Sequence, residues 1–250
     1  MNYTNRITDI DTLKAELDKF RPFDENTVKQ LKEYYRISLT YTSNALEGNT
    51  LTETETKVII EDGLTIGGHP IKEIQETIGH SKAYDLLYNL IKTAEITEEN
   101  ILELHRLFYE QIDPENAGRY RDKKVIITGT EYIPPEPDAL SKLMKDFCAL
   151  IPEQKAKLHP VEFAAWLHMN FVNIHPFTDG NGRTARLLTN LALLQAGYSV
   201  IIIPPVVRAD YIYSIRESQT NGKQEMFLNF LSEMVLESMK DYLRIVKRLA

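Results

Sequence analysis

The residues best suited to chemistry lie in one short stretch, HPFTDGNGRTAR, which runs from His175 to Arg186. The chain from Asp179 to Gly182 leads directly into a predicted helix. The first turn of a helix has unpaired N–H groups at the positive end of its dipole, which together attract anions. Glycines on both sides of Asn181 let the backbone approach a ligand closely. The stretch therefore favours an anion-binding site, such as one for phosphate.

Two arginines in the same helical turn strengthen this interpretation. Arg183 and Arg186 are three residues apart and share a face of the helix. Positive charge at a helix start opposes the dipole by about 0.3–1 kcal/mol per charge. A polyanion bound above the helix end would remove this conflict, and the planar guanidinium matches phosphate oxygens. We therefore expect a polyphosphate ligand.

A carboxylate and an imidazole flank this anion site. Asp179 alone would suffice for Mg²⁺, which proteins typically hold with one or two carboxylates together with substrate phosphates. His175 has a side chain that can accept a proton from an attacking hydroxyl at neutral pH. Anion site, metal carboxylate and base together predict phosphoryl or nucleotidyl transfer.

Each feature also has an ordinary interpretation. An Asn-Gly pair is usually a turn, a histidine at a helix end is often a capping or core residue, and arginines in a first turn often face solvent. These interpretations weaken when all the features occur together between two apolar helices.

The elements that must position this stretch are predicted to be mostly helical. Apolar residues recur at three- and four-residue spacing in most of the chain. The predicted helices cover 28–47, a short segment after the capping box of Thr52 and Glu55, 71–94, 97–112, 138–150, 160–174, 182–196, 209–220 and 224–248. The exception lies between Gly118 and Pro135, where two short apolar runs about Gly129 predict a pair of β-strands.

Composition and charge exclude several classes of protein. The chain has 36 acidic and 29 basic side chains and a formal net charge of -7, which argues against binding to a nucleic acid duplex. A single cysteine, Cys148, excludes an internal disulfide framework and a cysteine-based metal site. No run of about 18 apolar residues predicts a membrane span, and the N-terminal residues lack the apolar core of a secretory signal. We therefore expect a cytoplasmic protein.

The stretch from His175 to Arg186 resembles the signature of the Fic (Fido) family, HxFx[D/E]GNGRxxR, and matches it at every specified position. The resemblance implies a mainly α fold, a helical bundle with one small β-hairpin called the flap, here at 121–134. It implies three parts: an N-terminal helical region at 1–94 that carries an inhibitory helix at about 31–48, a Fic core at 95–237, and the end of a C-terminal helix at 238–250.

The resemblance also implies a reaction, the transfer of AMP from ATP to a Ser, Thr or Tyr hydroxyl of a target protein. His175 would be the base and Asp179 would hold Mg²⁺. The remaining implied roles belong to phosphate binding and to anchoring of the loop: Gly180, Asn181 and Gly182 as an anion hole, Arg183 near the β-phosphate, Arg186 at the γ-phosphate, and Phe177 in the core.

Two further segments are expected to contact the substrates. The flap would align the backbone of the target protein beside the site by strand addition. Tyr211, Ile215 and Gln219 lie in a segment similar to the family's adenine-side helix. The match is looser there, and plain helix packing is an equal alternative.

A second motif, from Ser43 to Asn49, resembles the family's inhibitory pattern [S/T]xxxE[G/N]. Ser43 and Glu47 are four residues apart and share a helix face. Glu47 stands just before the predicted helix end, where negative charge is unfavourable, so it needs a partner. In the family that partner is the second arginine, here Arg186, and the pair blocks the γ-phosphate position. The alternative is a solvated glutamate at a helix end.

Other possibilities stay open at this stage. The chain could transfer phosphate, UMP or phosphocholine instead of AMP, or bind a nucleotide as a regulatory module without transfer. Some relatives also remove AMP again. A homodimer through apolar residues on outer helices is a further expectation. His168 lies on the predicted buried helix and is expected to be a core residue, whereas His69, His80, His105 and His159 lack metal-ligand spacing.

Overall fold

Helices form nearly all the regular structure in residues 3–93 and 95–249, which the computed structural model of the chain describes. In chain order they are α1 (Ile7–Asp18), α2 (Glu25–Ala45), α3 (Glu53–Lys57), α4 (Ile71–Leu90), α5 (Glu98–Tyr109), α6 (Leu140–Lys157), α7 (Pro160–Ile174), α8 (Asn181–Gln195), α9 (Arg208–Asn221) and α10 (Gln224–Leu249). A π-helical turn, Val58–Asp62, follows α3, and 3-10 turns at Pro137–Ala139 and Pro205–Val207 precede α6 and α9. None of the helices in these residues is long and apolar enough to cross a membrane.

Local sequence signals explain several helix starts. Thr52 and Glu55 form the expected capping box of α3, in which each side chain accepts from the other residue's backbone N–H. Thr97 caps α5 in the same reciprocal way with Asn100. Pro160 occupies the first turn of α7, where a missing N–H costs nothing. Three predicted helix starts are thus confirmed by their caps.

The centre of the fold is the pair of antiparallel helices α7 and α8. Leu167 and Phe171 of α7 are fully buried, as are Leu188 and Leu191 of α8. Their apolar contacts fix the two helices against each other over most of their length. Because the chemistry-bearing stretch connects these two helices, both of its ends are held by the best-packed part of the core.

The other helices pack around this pair. Helix α4 contacts α2, α5 and α8, while α10 contacts α1, α7 and α9. Helix α1 was not predicted from the sequence, although Ile10 and Leu17 are buried in the core at helical spacing. Helix α2 ends at Ala45, two residues before the predicted end, so Glu47 lies in the turn that follows.

The predicted β-hairpin at 121–134 is wrong. Within the described residues this segment contains no strand, and no backbone hydrogen bond joins its two arms. Ile126 is 95% exposed and Ile133 is 84% exposed, so the apolar residues that suggested strands do not pack on each other. A lone two-stranded hairpin is marginal in water without such a face. The fold described here is therefore entirely helical.

The ends of this irregular segment are nevertheless fixed. Buried Arg121 donates through its guanidinium to the carbonyl oxygens of Lys123, at 3.0 Å, and Pro135, at 2.6 Å. The Tyr132 hydroxyl donates to the Asn173 carbonyl at 2.8 Å. Side chains thus tie a loop without backbone pairing to the end of α7.

Amide hydrogen exchange tests this description of the segment. We expect the amides of residues 122–133 to exchange nearly unprotected, because none of them has a backbone acceptor. Tyr132, whose N–H donates to the Thr130 hydroxyl at 3.1 Å, is the expected exception. The Arg121 amide should exchange slowly, since it donates to the Pro176 carbonyl at 2.9 Å. Alternating protection along 124–133, the pattern of a paired strand, would contradict the description. Exchange is read by NMR or by mass spectrometry of peptides.

Candidate active site

The loop between α7 and α8 is held in shape by its own side chains. His175 ends α7 in the left-handed region, with φ 50° and ψ 58°. Phe177 is fully buried. The Asn181 side chain accepts from the Phe177 N–H at 2.9 Å and donates to the Phe177 carbonyl at 2.8 Å. Asn181 therefore closes the loop, and Gly180, with φ 80°, begins α8.

A histidine that the sequence did not single out supports the loop from below. The His105 ring stacks on Phe177 with 3.6 Å between ring centroids. Its Nδ1 accepts from the Gly118 N–H at 3.0 Å, so its Nε2 carries the proton and donates to the Asp179 carbonyl at 3.1 Å. Burial lowers the pKa of His105 to about 4, which keeps this tautomer neutral. A Cβ on Gly180 would lie 2.9 Å from the Phe108 ring and 3.2 Å from the His105 ring, which is too close for either to stay in place.

His175 lies at the mouth of a cleft, opposite the start of α8. Burial, with the Arg121 guanidinium as the second cause, lowers the pKa of His175 to about 4. Arg121 also donates to the His175 carbonyl at 2.9 Å. It therefore fixes the position of His175 and also contributes to its lowered pKa. The imidazole is therefore neutral at pH 7 and free to accept a proton, as the predicted base requires.

The two carboxylate oxygens of Asp179 have different surroundings. Oδ1 accepts from the Gly180 N–H at 2.6 Å and from Arg183 at 3.1 Å. Oδ2 faces Lys72, whose Nζ is 3.4 Å away. Burial raises the pKa of this carboxyl, but Arg183 and the Gly180 N–H more than offset it, so the pKa lies below its usual range. Asp179 is ionised and keeps one oxygen on the open side.

These surroundings fit a Mg²⁺ site that the substrate completes. Within residues 3–93 and 95–249, no group of three or more His, Cys, Asp and Glu side chains could hold a metal alone. Mg²⁺ is typically bound by one or two carboxylates together with substrate phosphates, and Asp179 has an ionised carboxylate with one oxygen that the loop does not use. Asp179 would supply that oxygen.

Arg183 is buried in the first turn of α8, with only 2% of its surface exposed. Its Nη1 is 2.8 Å from Glu76 Oε1, and its guanidinium lies 4.3 Å from the centre of the Phe108 ring. Glu76, on α4, is a partner that the sequence did not predict. The ion pair joins α4 to the first turn of α8.

Arg186 is also buried, and it contacts both residues of the proposed inhibitory motif. Its Nε donates to the Ser43 hydroxyl at 3.0 Å, and Nη2 donates to Glu47 Oε1 at 2.8 Å. Nη1 donates to the Tyr211 hydroxyl at 3.2 Å, which in turn meets His168 at 3.0 Å. The sequence-based pairing of Glu47 with Arg186 is present in the structure.

The Glu47 carboxylate lies over the start of α8. A Cβ built on Gly182 would overlap Glu47 Oε1, so the carboxylate touches the backbone of the first turn. Burial would raise the pKa of Glu47, yet Arg186 and Arg183 hold it below its usual range. A carboxylate therefore occupies the place where the helix end and two arginines attract an anion.

A cleft of about 140 Å³ connects the base with this anion position. The three residues predicted for the adenine side all line it, as do His175, Gly182 and Glu47. Tyr211 is 2% exposed, and its hydroxyl accepts a hydrogen bond from Arg186. Gln219 donates to Asn173 Oδ1 at 3.0 Å, and Ile215 lies beside it on the wall. The adenine-side role of these residues stays a prediction.

Sequence reasoning missed Lys72, Glu76, His105 and Arg121. Each lies in a helix or loop far from the signature stretch in sequence, and none forms a recognisable spacing. Glu76 lies on a helix face with other polar residues, including His80, so nothing in the sequence indicated that this acid would be buried. A buried acid needs a partner, but the sequence does not indicate which one.

A neutral imidazole facing an anion-binding helix start, with an ionised aspartate beside it, is the arrangement of an enzyme that transfers phosphorus groups. The sequence profile of the Fic/DOC family matches residues 95–193. Over 97% of its length the chain is similar to the solved structure of a fragment of Fic-1 from C. elegans, with 31% identity and a TM-score of 0.86. The match covers 72% of that solved fragment. The chain therefore belongs to the Fic/DOC family.

Two curated relatives carry the name protein adenylyltransferase Fic. The one from Nematostella vectensis is 38% identical over 218 residues, which are 86% of this chain and 50% of the relative. The one from Drosophila willistoni is 35% identical over 240 residues, 95% of this chain and 47% of the relative. The chain thus spans about half the length of these relatives.

The ionisation of His175 can be tested by NMR. We expect its imidazole to stay neutral at pH 5.5, where a free histidine with a pKa near 6.5 is mostly protonated. The same shift should make the protein less stable as the pH falls through 6.5 toward 4, because only the unfolded chain gains the proton there. The Cε1 resonance, assigned by its loss in His175→Asn, reports the titration. A midpoint near pH 6.5 would disprove the low pKa.

Proposed function

We propose that the chain is a Mg-ATP-dependent protein adenylyltransferase that Glu47 holds in an inhibited state. The observation that carries the proposal is that His175 and Gly182 line one cleft at the start of α8. Arg183, which pairs with Asp179, and Arg186 lie in the first turns of the same helix. Family membership and the names of the curated relatives support the same activity.

The reaction follows from these groups. His175 accepts the proton of a Ser, Thr or Tyr hydroxyl on the target protein, and the hydroxyl oxygen attacks the α-phosphorus of ATP. The new P–O bond forms as the bond to pyrophosphate breaks, so AMP stays on the target. Arg183, Arg186 and the first N–H groups of α8 stabilise the charge on the phosphates. A bound Mg²⁺ would neutralise phosphate charge and favour pyrophosphate as the leaving group.

Glu47 prevents this reaction by occupying the anion position. Its carboxylate takes an Arg186 N–H and lies against Gly182. A γ-phosphate would need the same donors and would meet like charge at close range. Ser43 adds two acceptors, its hydroxyl at 3.0 Å and its carbonyl at 2.8 Å, which hold Arg186 in the inhibited arrangement.

The loop at 121–134 is our candidate for docking of the target. Ile127, Thr128 and Thr130 line the cleft beside His175. The unpaired backbone groups of this loop can bond to an extended segment of the target. The highly exposed Ile126 offers an apolar contact next to it. A target hydroxyl aligned on this loop would reach the base.

Replacing the inhibitory glutamate tests the proposal directly. In Glu47→Gly we expect AMP incorporation to rise about tenfold. This corresponds to the lower end of the free energy of a hydrogen bond between charged groups, because the Glu47 side chain is 37% exposed. Glu47→Gln, which keeps the size and loses the charge, should give a smaller rise. Adding His175→Ala to Glu47→Gly should lower incorporation by about 10²–10⁴-fold. Intact-mass analysis with ATP, Mg²⁺ and cell lysate detects the AMP unit.

Labelled nucleotides separate this activity from its alternatives. Label from the α-phosphate of ATP should stay on protein, whereas label from the γ-phosphate should not. Retained γ-label would mean phosphate transfer, and label from UTP alone would mean UMP transfer. If Glu47→Gly binds ATP but transfers nothing to any protein, a regulatory nucleotide-binding module is the better interpretation. De-AMPylation, a homodimer and a cytoplasmic location stay predictions.

Docking on the loop has its own test. In the Glu47→Gly background, Ile126→Asp should lower kcat/KM for the target at least severalfold, because it places a charge at an apolar contact. The KM for ATP should not change, since Ile126 is not among the cleft residues. An equal loss with Ile133→Asp is expected if both exposed isoleucines contact the target. Unchanged target kinetics in both variants would disprove docking here.

A further inference from the structure

Helix α4 extends two charged side chains into the phosphate site. Lys72 and Glu76 are one helical turn apart on α4, which precedes the family match at 95–193. Together with Asp179 and Arg183 they form a closed ring of alternating charge, defined here as the α4 charge ring. Its four contacts are Arg183–Glu76 at 2.8 Å, Glu76–Lys72 at 3.9 Å, Lys72–Asp179 at 3.4 Å and Asp179–Arg183 at 3.1 Å.

Glu76 shares Arg183 with Asp179. Glu76 is 7% exposed, and its second oxygen accepts from the Asn49 amide at 3.0 Å, so the carboxylate is fixed on both sides. Buried Arg183 requires a counter-charge. Without Glu76, Asp179 would be its sole anionic partner. The Arg183 guanidinium would then interact more strongly with the Asp179 carboxylate, which is needed for a metal ion.

Lys72 occupies the other side of Asp179. Its Nζ faces Oδ2, the carboxylate oxygen that neither Gly180 nor Arg183 uses. The Lys72 side chain is 55% exposed, so its pairing is weak and easily exchanged. An ammonium group and a divalent cation at this oxygen would repel each other, so the two compete for it.

From these contacts we propose that Lys72 and Glu76 are positioning residues that set, in opposite directions, how strongly Asp179 binds a divalent cation. Glu76 strengthens the binding by taking part of the charge of Arg183, and Lys72 weakens it by competing for Oδ2. The inference rests on the proposed function, in which Asp179 holds Mg²⁺. It assigns part of the metal site to a helix outside the matched family region.

The test measures the coupling between metal and nucleotide and does not depend on catalysis. In the Glu47→Gly background, calorimetry gives the Kd of ADP without metal and at saturating Mg²⁺. The coupling factor is the Kd without metal divided by the Kd with Mg²⁺, so a larger factor means that metal and nucleotide strengthen each other's binding more. We expect Lys72→Met to raise this factor about two- to fivefold, the value of an exposed ion pair. Glu76→Gln should lower it about tenfold, as loss of a residue that orients a metal ligand typically does.

Matched variants on the same helix control for charge alone. Lys82→Met removes a lysine that contacts Glu110, and Glu73→Gln removes a carboxylate that contacts Thr50 and His69. Neither residue touches Asp179 in the structure, so both should leave the coupling factor within about twofold of the background. Circular dichroism verifies the fold of each variant. Glu76→Asp, which keeps the charge, should recover part of the factor that Glu76→Gln loses.

The outcomes separate the two proposals. If Lys72→Met and Glu76→Gln change the factor in the same direction, the opposed roles proposed here are wrong. If neither changes it more than the controls do, the α4 charge ring has no role in metal binding. If Lys72→Met weakens ADP equally with and without Mg²⁺, Lys72 is a phosphate ligand and the inference is also overturned. If the background has no coupling and Asp179→Asn changes nothing, the metal role within the proposed function itself fails.

Discussion

The buried positive charge of Arg186 constrains the rest of the site. A guanidinium that is only 3% exposed must be matched by an anion and by hydrogen-bond acceptors. Ser43, Glu47 and Tyr211 meet this need from two other helices and the turn after α2. The fold thus keeps a strong anion position at the start of α8 and fills it with its own carboxylate. Under the proposed function, inhibition and substrate binding would depend on the same few donors.

The loop beside that position is rigid for a different reason. Asn181 binds both backbone groups of Phe177, and the neutral His105 fixes the carbonyl of Asp179. The resulting loop places His175 and the helix start on two sides of one cleft without help from a ligand. Preorganisation of this kind lowers the cost of reaching the transition state. The loop residues of the site are therefore positioned by the side chains of Asn181, Phe177 and His105, which pack beneath them.

Much of this could be predicted from the sequence because it is local. The caps of Thr52 and Thr97 and the signature from His175 to Arg186 depend on neighbours within a few residues. The hairpin prediction was wrong because short apolar runs form strands only when other residues cover them, and Ile126 and Ile133 are exposed. Glu76 and Arg121 act on partners more than fifty residues away in sequence, so their roles emerge only from how α4 and the 121–134 loop pack on the core.

The absence of a side chain at Gly182 has a consequence for how such an enzyme can change over time. The space above this residue is filled by the Glu47 carboxylate. Any larger residue there would displace this carboxylate from the first turn of α8. Under the proposed function, a substitution at Gly182 would therefore alter inhibition and phosphate binding together, whereas a substitution at Glu47 would remove the inhibitory contact alone.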